Sequence, residues 1–171
     1  MAQARRELIN IEESPYVHVI GRCVRRAFIF GKDKESGRDY SHRRQWVLDR
    51  LKTLCEAYAV KICAYAIMSN HYHLVVHVNQ AEARDWSNDE VIERWCRVYA
   101  GHPLVARYQA KAELSEAERY AVGEIIEKWR QRLSDLSWFM SSLNEHIARA
   151  ANKEDGCKGR FWEGRYRSQA L

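Results

Sequence analysis

The chain has 171 residues, 46% of them hydrophobic, enough for one globular domain with its own core. Lys and Arg number 28 against 23 Asp and Glu, a net charge of +5, and 30% charged with 11% aromatic residues excludes disordered, collagen-like and low-complexity classes. No stretch approaches the ~20 consecutive apolar residues of a membrane-spanning helix, and residues 1–14 lack the apolar centre of a secretory signal.

Residues 1–14 are polar and predict a loose lead-in. Tyr16–Cys23 has a β-branched centre and predicts a first strand. Gly31–Tyr40 is a polar loop bearing glycines, after which Ser41 offers an N-cap. Trp46, Val47, Leu51, Leu54, Cys55 and Tyr58 then recur at helical spacing. Val60–Met68 and Tyr72–Val78 are two apolar runs split by Ser69-Asn70-His71, the pattern of a hairpin of central strands. Residues 81–113 are mixed, with a short helix expected over Glu90–Ala100 and a breaker at Gly101-His102-Pro103. Ser115 and Glu118 form a capping box. Val122, Ile125, Ile126, Trp129, Leu133, Leu136, Met140, Leu143 and Ile147 follow in steps of three and four. A single helix of that length would be unusual, and Ser134-Asp135-Leu136-Ser137 supplies a second N-cap, so two abutting helices are expected. Asn152–Gly159 reads as a turn and the last seven residues as a strand. The order predicts an α+β fold, a ferredoxin-like β-α-β-β-α-β antiparallel sheet, as one domain over 1–171 with a helical insertion at about 82–131.

Charge is unevenly placed. Arg22 to Arg50 holds nine basic residues against four acidic, Lys158 to the end four against one, and Glu82 to Asp135 nine against eleven. Basic ends attract phosphate backbones over roughly a Debye length. Five cysteines, at 23, 55, 63, 96 and 157, form no C-x-x-C pair and are odd in number. A zinc ribbon or disulfide framework is therefore not expected; free thiols in a reducing cytoplasm are.

Two features could carry chemistry. His71 and His73 stand at i and i+2 on a predicted strand, so their imidazoles share a face about 7 Å apart along the chain and can close on one metal ion. His77 has the same parity but lies about 13 Å beyond His73. Imidazole suits Mn, Zn, Ni or Fe better than Mg, and two histidines need a further ligand. Near the C-terminus, Arg160, Arg165 and Arg167 alternate with Phe161, Trp162 and Tyr166. Guanidinium groups grip phosphates bidentately and aromatic faces stack on unpaired bases, which suits single-stranded or distorted DNA. Arg22, Arg25 and Arg26 beside the first strand repeat the signal in weaker form. Either feature also has an ordinary structural explanation, as strand histidines near a turn or as a strand with aromatics inward and arginines outward.

Met68-Ser69-Asn70-His71-Tyr72-His73-Leu74-Val75-Val76 together with Arg160–Ser168 resembles the HUH (His, hydrophobic, His) single-tyrosine transposases, and most of all the REP-associated tyrosine transposases. The resemblance extends to Tyr16–Phe30, the helix after Tyr40 and Leu133–Asn152, but not to 82–131. It implies a divalent ion, Mg²⁺ or Mn²⁺, held by His71 and His73 on a scissile phosphate. Arg22, Arg25, Arg26, Arg160, Trp162, Arg165 and Arg167 would contact single-stranded or hairpin DNA. A tyrosine hydroxyl would attack to give a 5′-phosphotyrosine and a free 3′-OH, and joining would reverse the step. In that family the nucleophile lies on a helix following the RFWEGRYRS-type segment, with a third ligand one turn later. The sequence stops at Leu171, so the expectation is a chain shortened before its nucleophile, with Tyr166 not promoted to that role. The alternative is a non-catalytic nucleic-acid-binding module on the same sheet.

Overall fold

The computed structural model describes residues 11, 13–24 and 27–171. The expectations for Arg25, Arg26 and most of the N-terminal lead-in fall outside them.

Strand β1 (Tyr16–Arg22) leads into α1 (Arg43–Ala57), and the hairpin follows as β2 (Val60–Ile67) and β3 (His71–Val78). Then come α2 (Gln80–Asp85), α3 (Asn88–Cys96), α4 (Pro103–Gln109), α5 (Glu116–Leu133), α6 (Leu136–Asp155) and the last strand β4 (Arg167–Ala170). The described residues thus form a mixed α and β structure with a four-stranded antiparallel sheet and six helices. The sheet order is β2-β3-β1-β4. Among the described residues no helix is long and apolar enough to cross a membrane.

Period-two patterning splits the sheet into two faces. Val17, Val19, Tyr72, Leu74, Val76 and Val78 are buried in one core with Val47, Leu51, Leu54, Phe139, Met140, Leu143 and Ile147 of α1 and α6. The alternate residues Tyr16, His18, Ile20 and Arg22 of β1 and His71, His73, Val75 and His77 of β3 lie on the opposite, open face. The register pairs Ile20 with His73 and Arg22 with His71, so β1 and β3 present their open-face residues side by side. Gly21 pairs with Tyr72, and its missing side chain is what the buried Tyr72 ring occupies.

Local chemistry accounts for several boundaries. The capping box at Ser115 and Glu118 forms as expected, Ser115 Oγ accepting from the Glu118 amide at 3.2 Å and Glu118 Oε2 accepting from the Ser115 amide at 2.8 Å. The break between α5 and α6 is also found, with Asp135 as N-cap, its carboxylate accepting from the Trp138 amide at 2.9 Å. Ser41 does not cap α1. Its hydroxyl and amide both donate to Asp39 Oδ1, at 2.6 and 2.8 Å, a local turn that holds the side chain on the loop before the helix. The helix starts at Arg43 instead, with no side-chain cap. The turn expected from Asn152 begins later. Helix α6 runs to Asp155 and stops at Gly156, which takes the left-handed conformation at φ 64°. Pro103 does not merely break the chain; at the first turn of α4, where its absent N–H costs nothing, it starts a helix. The final strand is shorter than expected, Arg167–Ala170 rather than the last seven residues.

Free thiols are distributed as burial dictates. Cys63, Cys96 and Cys157 are exposed, whereas burial pushes the Cys23 thiol up to about 12, against a weaker opposing pull from Arg43. Since only the thiolate is nucleophilic, native protein treated with iodoacetamide at pH 8 is expected to alkylate at the three exposed positions and spare Cys23 until unfolded. Peptide mass mapping checks this; rapid native-state labelling of Cys23 would contradict the packing around β1.

Candidate metal and nucleic-acid site

A cleft of about 410 Å³ opens on the bare sheet face, lined by Ile20, Arg22, His71, His73, Glu163, Gly164, Arg165 and Arg167. Three separate stretches of sequence supply it, and five of its eight residues are those that the sequence singled out. The convergence has a backbone cause. Beyond β1, Cys23 bridges Trp162, the Val24 amide donates to Phe161 O at 2.9 Å, and the Glu163 amide donates to Arg22 O at 2.8 Å. Pairing resumes at Ile20 with Arg167. From Ile20 to Cys23 the chain takes three steps, and its partner takes five between Trp162 and Arg167. The two surplus residues make 164–166 bulge away from β1. The bulge puts Gly164 and Arg165 on the rim of the cleft and turns Tyr166 into the core.

Each histidine has a hydrogen-bond partner that orients its ring. His71 Nδ1 lies 2.8 Å from Asn70 Oδ1, which can only accept, so Nδ1 carries the proton and the Nε2 lone pair is left as the ligating atom. His73 Nδ1 lies 2.9 Å from Nε2 of His18, the open-face residue of β1, and the two rings stack at 5.2 Å. The His71 and His73 rings stand edge to face at 5.2 Å. Burial, then the neighbouring His18 and His71, holds the His73 imidazole below the usual histidine range, favouring the neutral form that a metal requires. The donor types suit a divalent cation: two adjacent imidazoles line an accessible cleft, and the Asn70 side chain orients one of them. Among the described residues no group of three or more His, Cys, Asp or Glu donors stands gathered as a metal site.

The arginines surround that floor. Arg22 is exposed and 3.8 Å from Glu163, a weak surface pair that a phosphate could displace. Arg165 and Arg167 are exposed on the opposite wall. Arg160 is exposed but does not line the cleft. Trp162 departs from the base-stacking expectation. It is 9% exposed, packs edge-on against Tyr72 and Phe161, and donates its indole N–H to Asn144 O at 2.7 Å, so its faces serve the core. Phe161 and Tyr166 are buried as well, and the Tyr166 hydroxyl sits 3.1 Å from Ser137 Oγ, away from the histidines. The aromatics of this segment face inward, whereas Arg160, Glu163, Gly164, Arg165 and Arg167 are exposed.

Two residues escaped the sequence reading. His18 shares the open face by parity, but only the β1–β3 register could place it beside His73. Tyr16, half-exposed, meets His77 at 4.7 Å between ring centres and forms an aromatic patch further along the same face. His77 itself stands well away from the cleft, as its spacing predicts.

No family model and no curated protein matches the chain. Among solved structures it is similar to a REP-associated tyrosine transposase bound to a REP hairpin, with 10% sequence identity and a TM-score of 0.48, covering 100% of this chain and 62% of that one. The chain thus spans less than two thirds of that neighbour's length, and the relationship is a distant structural one.

Proposed function

We propose that this chain is the DNA-binding and metal-binding body of an HUH-type transposase, acting on single-stranded or hairpin DNA by metal-dependent strand cleavage and rejoining. One observation carries the reading: His71 and His73 stand at the floor of a cleft whose walls hold Arg22, Arg165 and Arg167. Imidazoles beside guanidinium groups suit a phosphodiester: His71 and His73 would hold the cation and the arginines would grip the flanking phosphates. When bound, a divalent ion would supply Lewis-acid polarisation and a template for the scissile phosphate. This chain's residues would do the rest. Asn70 orients His71, and Arg165 and Arg167 would align the backbone. The nucleophile would be a tyrosine hydroxyl, giving a 5′-phosphotyrosine and releasing a 3′-OH; Tyr166, buried against Ser137, is not placed for that role. The antiparallel order β2-β3-β1-β4 with α1 and α6 on one face supports a ferredoxin-like plait, in which α2 to α5 would be an insertion.

Fluorescence anisotropy with a hairpin flanked by single-stranded DNA tests the reading. Affinity is expected to fall steeply with salt, and Arg165→Ala and Arg167→Ala are each expected to lower the slope of log K against log salt by about one phosphate contact. Mn²⁺ is expected to tighten binding in the wild type and not in His71→Ala/His73→Ala. Absence of salt-sensitive DNA affinity would overturn the proposal. A second reading, a non-catalytic nucleic-acid-binding module, has the Tyr16–His77 patch in its favour, since exposed rings on a sheet can stack bases. Equal affinity for RNA and DNA with no metal effect would select it.

A further inference from the structure

We propose that His18 is the third protein ligand of this metal site, so that the cation is held by three imidazoles drawn from two adjacent strands. The inference rests on the two-histidine reading above and adds to it a residue outside the His71–His73 motif. Three observations support it. His18 lies on β1 facing the same side as His71 and His73, two residues before Ile20, the cross-strand partner of His73. Its Nε2 stands 2.9 Å from His73 Nδ1. Two nitrogens bound at ~2.0–2.1 Å to one ion are themselves separated by about 3 Å, so the pair is spaced as neighbouring ligands are. Both rings can offer these atoms as lone pairs, His18 by carrying its proton on Nδ1 and His73 on Nε2. The hydrogen bond between the two rings places a proton on one of these nitrogens, and holding an ion through both would require that proton on the same ring's outer nitrogen instead. His71, whose ring is 5.2 Å from that of His73 and whose Nε2 is already the unprotonated nitrogen, completes the set by turning toward the ion. Among the described residues the three rings do not stand gathered as a metal site, so the assignment requires His71 to turn in.

The donor set also selects the metal. Three nitrogens favour Co²⁺, Zn²⁺ or Mn²⁺ over Mg²⁺, which prefers oxygen and holds its water. A phosphate oxygen reaching such an ion would enter the cleft that Arg165 and Arg167 also line.

The test uses the full chain and Co²⁺, Cu²⁺ and Mg²⁺ as probes, without DNA. Thermal melts first establish that His18→Ala, His18→Gln, His71→Ala and His73→Ala remain folded. Pulsed electron paramagnetic resonance of the Cu²⁺ form is expected to count three imidazoles in the wild type and two in His18→Ala. Co²⁺ affinity is expected to fall at least tenfold in His18→Ala and to stay low in His18→Gln, which keeps a polar group beside His73 but no imidazole nitrogen. Mg²⁺ is expected to compete poorly with Co²⁺. Two imidazoles in the wild type, or a His18→Gln that binds Co²⁺ as the wild type does, would overturn the assignment and leave His18 a residue that only orients His73. If His71→Ala and His73→Ala bind Co²⁺ undiminished, the two-histidine reading itself fails. If those two lose the metal and His18→Ala does not, only the present inference fails.

Discussion

Gly21→Ala is expected to destabilise the protein by about 3 kcal/mol and to weaken cation binding at the proposed His71–His73 site at the same time, although Gly21 contributes no side chain to that site. A Cβ at position 21 would stand 2.3 Å from Cζ and 2.4 Å from the hydroxyl of Tyr72, inside van der Waals contact. The ring cannot retreat. It is fully buried, its hydroxyl donates to Asn144 Oδ1 at 2.6 Å, and Trp162 meets it edge-on at 5.6 Å. Tyr72 is the middle residue of His71-Tyr72-His73, so any shift that relieves the clash moves both histidines. Tyr72→Phe is not expected to rescue Gly21→Ala, because the offending ring carbons remain. Tyr72→Leu in the same chain is expected to recover part of the loss, and a double-mutant cycle by urea denaturation measures the coupling. Additive effects would show that the ring does not need the space over Gly21. Co²⁺ titration of the single variant then shows whether the hydrophobic residue between the histidines acts as their anchor to the core.

The second large effect is expected at Arg43, a buried cation at the start of α1. Its Nε donates to Glu154 Oε2 at 2.6 Å, its Nη1 to Phe28 O at 2.9 Å and its Nη2 to Asp155, and its guanidinium lies 4.2 Å above the Tyr40 ring. A cation in the first turn of α1 and two acids in the last turn of α6 each oppose their own helix dipole. Facing one another, they compensate, and they tie the segment before α1 to the end of α6. Arg43→Ala is expected to cost about 3 kcal/mol, the lower end for a broken buried pair, because the carboxylates can hydrate. Arg43→Lys is expected to recover little, since an ammonium cannot make three divergent hydrogen bonds. The pH dependence follows from Glu154. Burial pushes its carboxyl up, but the Arg43 hydrogen bond and charge, with His42, pull it further down, below the ordinary 4.5. A depressed carboxylate stabilises the fold above its unfolded value and loses that contribution as pH falls through the folded one. Wild-type melting temperature is therefore expected to drop below about pH 4.5, and the drop attributable to this group is expected to be absent in Arg43→Ala. Parallel pH curves for the two proteins would contradict the pairing.

The sequence was most informative wherever a feature depends on near neighbours. The capping box at Ser115, the paired strands around Ser69-Asn70-His71, the division of the long helical stretch before Leu136 and the shared face of His71 and His73 all follow from spacing within a few residues. Where two local partners competed, the outcome was not legible. Ser41 looks like a cap until Asp39 is known to hold it. Likewise, Trp162 looks like a stacking surface until its pairing with the buried Cys23 is known, which turns its ring to the core. Alternation in a strand separates two faces, but only the pairing across strands says which of them is inward.

What the amino-acid order determined alone was the inventory: a sheet with one apolar and one polar face, two imidazoles at strand spacing, and arginines near both ends of a basic chain. What only tertiary structure decided was their assembly. The antiparallel register of β1 against β3 carries His18 across 55 positions of sequence to within 2.9 Å of His73. Pairing of the C-terminal segment with β1 brings Arg165 and Arg167 over the same floor. Such contacts are set by hydrogen-bond register between strands distant in the chain, a quantity no local spacing encodes.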